Sequence, residues 1–94
     1  MKIIQTARFL EELEEILFFI AQDSMTIAFN FQDEIESQLQ NLSYLPYKCR
    51  CSTKSSDENI RDLVFHGYVI PYRINILKGQ IEIIGIFSEN KWEL

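Results

Sequence analysis

The chain has 94 residues and a net charge of −5, a length that holds one domain with no room for a second core. Apolar residues at 47% and aromatics at 13% exclude intrinsic disorder. The longest unbroken apolar run, Ile16 to Ala21, falls far short of the ~18 residues a membrane span needs. Charge is unevenly spread: residues 1–46 carry two bases and eight acids, −6, and residues 47–94 carry seven bases and six acids, +1. An acidic balance argues against broad nucleic-acid binding, which draws on Lys and Arg against phosphates, and leaves open a local basic patch in the second half. The opening Met1-Lys2-Ile3-Ile4 turns polar at Gln5, before a signal-peptide core could form. A cytoplasmic protein without a membrane partner is expected.

Residues 2–5 predict a short strand that runs straight into a helix. From Ala7 to Ala21, Phe9, Leu10, Leu13, Ile16, Leu17 and Ile20 fall within an arc of about 120° at helical spacing. Glu11, Glu12, Glu14 and Glu15 lie outside it and are expected to form a solvated face. Ser24 can cap a second helix over Met25–Leu42, whose apolar arc holds Ile27, Ala28, Phe31, Ile35, Leu39 and Leu42. With about three residues between them, the helices predict an antiparallel hairpin. Leu45-Pro46 closes the helical half.

The second half predicts strands at Tyr47–Ser52, Ile60–Phe65, Tyr68–Leu77 and Gln80–Phe87, separated by a polar loop and by two-residue turns at His66-Gly67 and Lys78-Gly79. The last strand is apolar on most of both faces, so it is expected to be central and most buried. Pro71 removes a ladder donor and predicts a bulge or an unpaired position. The fold class is therefore α+β: an N-terminal strand, an antiparallel helical hairpin, then a mainly antiparallel sheet of three to four strands.

Few residues suggest chemistry. Cys49 and Cys51, two apart in a strand, would sit ~7 Å apart on one face, at or beyond disulfide reach, and are expected as buried or half-buried free thiols. With one His in the chain a zinc site lacks ligands, and no cofactor or metal is expected. His66 falls in a turn without a nucleophile spaced to partner it. Phe18 and Phe29 leave the apolar arcs of their helices; they either pack on each other near the hairpin tip or form an exposed patch for a partner. Arg61, Tyr72 and Arg73 stand in strands, where the arginines either pair with Asp62 or Glu82 or present a cationic face.

Several stretches taken in order resemble the RelE/ParE superfamily of type II toxin–antitoxin toxins over nearly the full length. Leu13 to Ala21 is similar to the family's L-x-x-I-x-x-Y-I-A, with Phe19 in the aromatic position. Asp23-Ser24-Met25 with Ala28 is similar to D-N-P-x-x-A, and Leu42 to Pro46 to L-x-x-x-P. Ile60-Arg61-Asp62-Leu63 resembles x-R-E-L. Gly67 to Ile74 resembles x-Y-x-I-x-Y-R-V, followed by an I-x-I-x-x-I strand from Ile81 to Ile86.

The resemblance implies one of two activities: ribosome-dependent mRNA cleavage, as in RelE-type members, or poisoning of DNA gyrase, as in ParE-type members. Laid on this chain, the two RelE strand lysines fall on Ile60 and Asp62, the strand arginine on Val69, and the later arginine on Asn90 or Lys91 with no tyrosine following; Phe87-Ser88 stands where a variant site carries His-Tyr. Cleavage through a 2′-hydroxyl needs a base, an acid and cations on the phosphate, so the ParE-type reading is preferred over the nuclease and over an inert interaction module. It implies a cognate antitoxin, DNA gyrase as target, and a homodimer or a toxin–antitoxin hetero-oligomer. The expected contacts are Arg61, Tyr72, Arg73, Lys91, Trp92, Phe18 and Phe29, with the antitoxin on the C-terminal half through apolar pockets and little salt dependence. Arg61 is expected either to be partly buried against a carboxylate such as Glu82, or to face a partner beside Tyr72.

Overall fold

The computed structural model describes residues 1–89; Lys91 and Trp92, two of the expected contacts, lie outside the described residues. The first strand, β1 (Lys2–Gln5), passes through Thr6 into α1 (Ala7–Asp23). Thr6 fixes that junction. Its hydroxyl donates to the Ile83 carbonyl at 2.7 Å and accepts from the Phe9 N–H at 3.2 Å, so one side chain caps the helix and ties its start to the sheet.

α2 spans Met25–Leu42, and a single residue separates the helices instead of about three. Ser24 serves both: its N–H donates to the Ile20 carbonyl, and its hydroxyl accepts from the Ile27 N–H at 3.1 Å. The apolar arcs hold where they face the sheet. Phe9, Leu13, Ala28, Phe31, Ile35, Leu39 and Leu42 are buried, while Leu10 and Ile27 at the arc edges stay exposed.

Six strands form one mixed sheet. β2 (Arg50–Cys51), β3 (Ile60–Phe65), β4 (Tyr68–Asn75), β5 (Gln80–Ile83) and β6 (Phe87–Ser88) follow α2. The order is β1-β5-β4-β3-β2, with β6 pairing β4. β1 lies parallel to β5, and the other pairs are antiparallel. The sheet thus has more strands than the sequence predicts, because the N-terminal strand joins it and the last strand is split.

That split corrects two expectations. The central strand is β4, flanked along its length by β3 on one side and by β5 and β6 on the other; the stretch 80–87 is not one central strand. Pro71 is the cause. Its carbonyl accepts from the Ile84 N–H at 2.9 Å, so its ring nitrogen faces the same neighbour with no hydrogen to give. The pairing lapses over residues 84–86 and resumes where Val69 meets Phe87. Within the gap the Ile86 N–H donates to Glu12 Oε1 of α1 at 2.9 Å. Glu12 is therefore half-buried and employed, unlike Glu11, Glu14 and Glu15 on the solvated face. Gly85 leaves room for it: a Cβ there would lie 2.5 Å from the same oxygen.

Other boundaries shift for local reasons. The strand predicted at 47–52 shrinks to Arg50–Cys51 because the Lys48 N–H turns back to the Leu45 carbonyl and the Tyr47 hydroxyl donates to Asn59 Oδ1 at 2.7 Å. β4 ends at Asn75 because Asn75 Oδ1 accepts from the Lys78 N–H, which leaves Ile76 and Leu77 in the turn, 62% and 99% exposed. His66 and Gly67 both have positive φ, 47° and 81°, as a tight hairpin turn requires. The core lies between the two helices and one sheet face, where Leu63, Phe65, Ile70, Tyr72, Ile74, Ile81 and Ile83 meet Phe9, Phe31, Ile35 and Leu39.

Candidate partner-binding site

Helical periodicity turns one stripe of each helix to the sheet, and side chains at the margin of that stripe and beyond it meet on the outer side of the hairpin. There Leu10, Leu17 and Phe18 of α1 face Met25, Ala28 and Phe29 of α2 across a groove of about 460 Å3. Phe18 and Phe29 remain 70% and 58% exposed on its walls; among the described ring pairs they do not form one. Glu14 and Gln32 supply its polar edge. Leu10 and Met25 were missed as surface groups, since Leu10 sits within the apolar arc and only the packing shows that the arc's margin stays open.

The two sheet residues expected together, Arg61 and Tyr72, are cross-strand partners on the helix side of the sheet. Tyr72 is fully buried and its hydroxyl donates to the Pro46 carbonyl at 2.7 Å. Burial, with the neighbouring Cys49 thiol, pushes its phenol above the ordinary range. It is a core residue and leaves the set of partner contacts. Arg61 departs from the first alternative, burial against a carboxylate. Its guanidinium donates to the carbonyls of Glu58, Tyr47 and Cys49 at 2.9, 3.4 and 3.0 Å and lies 4.9 Å from the Tyr47 ring. It clamps the 47–49 turn and the 58–60 loop onto β3, and among the described residues no carboxylate pairs with it.

The outer face of the sheet carries the other charged groups. Arg73 places Nε and Nη2 on Glu82 Oε1 at 2.9 and 2.7 Å, while Asn75 and Gln80 hold the second oxygen. The hydrogen bonds from Gln80, Asn75 and Arg73 lower the Glu82 carboxyl to about 2. Asp62 is buried, 3.7 Å from Arg50, which is equally close to Glu89. Val69 is buried beside it, and Lys54 Nζ lies 4.2 Å from the Phe87 ring.

Cys49 is half-buried but Cys51 is exposed, and both are free thiols, which corrects the expectation for Cys51. His66 stays exposed, with Nε2 3.3 Å from Glu34 Oε1 and its ring against Phe65. Among the described residues no group of three acidic, His or Cys side chains comes together as metal ligands, and no helix is long and apolar enough to cross a membrane.

A family model described as the ParE toxin of the type II toxin–antitoxin system parDE matches residues 3–91. The chain belongs to the ParE toxin family. This bears out the resemblance read from the sequence, including its lean toward the ParE-type branch. No curated protein matches the chain by sequence. Among solved structures, a chromosomal ParDE toxin–antitoxin system from P. aeruginosa is similar in fold, with a TM-score of 0.74 and 18% identity over 94% of this chain and 95% of that one. The α+β layout is shared with that structure. As a ParE-family member, the chain is a toxin of the type II toxin–antitoxin class.

Proposed function

We propose that this ParE-family toxin acts in the cytoplasm by binding DNA gyrase, that a cognate antitoxin neutralises it, and that it does not cleave mRNA. The observation that supports this reading is the outer face of β3 and β4. Where the RelE-type resemblance would require cations for the scissile phosphate, the chain carries Ile60, Asp62 and Val69, with Asp62 and Val69 buried. A buried carboxylate there repels a phosphate, and Arg50, which pairs with it, is shared between two acids. Phe18 and Phe29 then serve as apolar contacts in the hairpin groove, with Arg73 and the tail residues Lys91 and Trp92 contributing elsewhere. The role proposed for the pair is plasmid stabilisation.

The test is a supercoiling assay with purified gyrase alongside a translating ribosome system. Expected are loss of supercoiling and intact message. Codon-register cuts mapped by primer extension would replace the reading with ribosome-dependent mRNA cleavage. Undisturbed growth on expression of the chain alone would make it an inert interaction module.

A further inference from the structure

Eight bases lie among the described residues, and five of them are engaged. Arg8 pairs with Glu12, Arg50 with Asp62 and Glu89, and Arg73 with Glu82; Lys54 covers Phe87, and Arg61 binds carbonyls. The ammonium groups of Lys2, Lys48 and Lys78 meet no acid and no ring among the described residues, and all three residues are exposed.

These three gather at one end of the molecule. The Lys2 N–H donates to the Gly79 carbonyl, closing the turn that carries Lys78. The Met1 ammonium donates to the Ser43 carbonyl beside Tyr44 and Leu45, and the Lys48 N–H donates back to Leu45. The same end carries exposed apolar side chains: Leu77 is 99% exposed, Tyr44 81%, Ile76 62% and Leu45 61%. Between the turn and the 57–59 loop lies a concavity of about 550 Å3 lined by Asp57, Asn59, Ile74, Ile76 and Leu77 among others.

The hairpin groove lies elsewhere. Glu34 of α2 reaches His66 in the β3–β4 turn, at one end of the sheet, whereas Ser43 meets Met1 at the other. The groove, built on the first half of α2, belongs to the His66 end and to the acidic helices.

We propose that the end formed by Tyr44, Leu45, Ile76 and Leu77 with Lys2, Lys48 and Lys78 is a second docking surface, separate from the hairpin groove, for an acidic, leucine- or aromatic-bearing segment of a partner protein. Charge complementarity selects the occupant. Free ammonium groups set around open apolar side chains fit a segment whose carboxylates alternate with apolar anchors. Three lysines on a chain of net charge −5 present too few cations for a phosphate backbone or an anionic lipid surface, where affinity grows with the number of cations presented. The expectation of a salt-insensitive contact on the C-terminal half is revised for this end. The inference rests on the toxin reading only in requiring a protein partner, and its test uses neither gyrase nor growth.

The test is selection of a displayed random 12-residue peptide library on the full chain, followed by titration of the enriched peptides. Enriched sequences are expected to be acidic with Leu or aromatic residues. Their affinity should fall at least tenfold with Leu77→Asp or with Lys2→Gln, Lys48→Gln and Lys78→Gln combined, and should weaken between 50 mM and 500 mM salt. Phe18→Asp in the groove should leave it unchanged, and circular dichroism confirms that each variant is folded. Enrichment only of peptides sensitive to Phe18→Asp, or of none, overturns the proposal. So does equal loss of binding to phosphatidylglycerol vesicles or to an oligo-dT strand in the same variants, which would assign the patch to lipid or nucleic acid.

Discussion

The hairpin and the sheet each turn one face away from the shared core, and the two faces are finished differently. On the sheet, strand alternation delivers Asp62, Arg73, Asn75 and Glu82 to the outer side, and these groups close on one another or on Arg50. On the hairpin, Phe18, Met25 and Phe29 stay open around a groove. A polar face can satisfy itself within one chain through hydrogen bonds. An apolar face can be satisfied only by being covered. The contrast separates a face that closes on itself from a face that stays open.

The largest expected effect tests the holding side. Tyr72→Ala should cost about 3–5 kcal/mol, as for other large aromatic truncations in a core, because it empties a fully buried position and strips the Pro46 carbonyl of its donor. Phe18→Ala and Phe29→Ala should leave the melting temperature within a degree or two. Thermal unfolding of the three variants measures the contrast directly, and a large loss from Phe18→Ala would show that the two phenylalanines brace the hairpin.

Gly85→Ala comes next, at about 1–3 kcal/mol for a methyl forced against a packed group, since the new Cβ meets the Glu12 carboxylate that holds Ile86. Combining it with Glu12→Ala should give a penalty smaller than the sum, because the two changes share one contact. Strict additivity in a denaturant-unfolding cycle would show that the Glu12–Ile86 bond does not bridge the gap in the sheet.

Arg61→Ala should cost about 1.5–3 kcal/mol, the range for hydrogen bonds that involve a charged group, with the loss concentrated in the 47–49 turn. Amide exchange there should quicken more than in β4. Uniform acceleration would argue against a local clamp.

The Glu82 carboxyl is lowered in the folded state from 4.5 to about 2. A depressed carboxylate stabilises the fold above its unfolded value, and that stability is lost as pH falls through the folded one. Stability should therefore decline between about pH 4.5 and about pH 2, and Glu82→Gln should flatten that part of the curve. A profile unchanged by the substitution would place the acid sensitivity elsewhere. The smallest effect is chemical: a thiol reagent should modify exposed Cys51 before half-buried Cys49, read as two phases of labelling.

Helices were the most legible part of the chain, since a 3.6-residue apolar period over seventeen or eighteen positions leaves little freedom, and Ser24 announced the second one with a side chain suited to capping. Phe18 and Phe29 were legible as misfits to that period, which is why they were singled out. Glu12 was not. Its angle on the helix matches that of solvated glutamates, and only the passage of residue 86 beside it makes it an acceptor.

What the sequence by itself determined is the α+β order, the hairpin, the strand sites and the family, because each follows from local periodicity, turn chemistry or ordered motifs. Tertiary structure alone decided that β4 is central, that Tyr72 is a core group, and that Arg61 binds carbonyls where a carboxylate was expected. It also decided that three lysines without an acid or ring partner among the described residues share one end with Leu77. These depend on which distant segments pass one another, and a pattern with a period of two or 3.6 residues carries no record of a neighbour forty or seventy residues away.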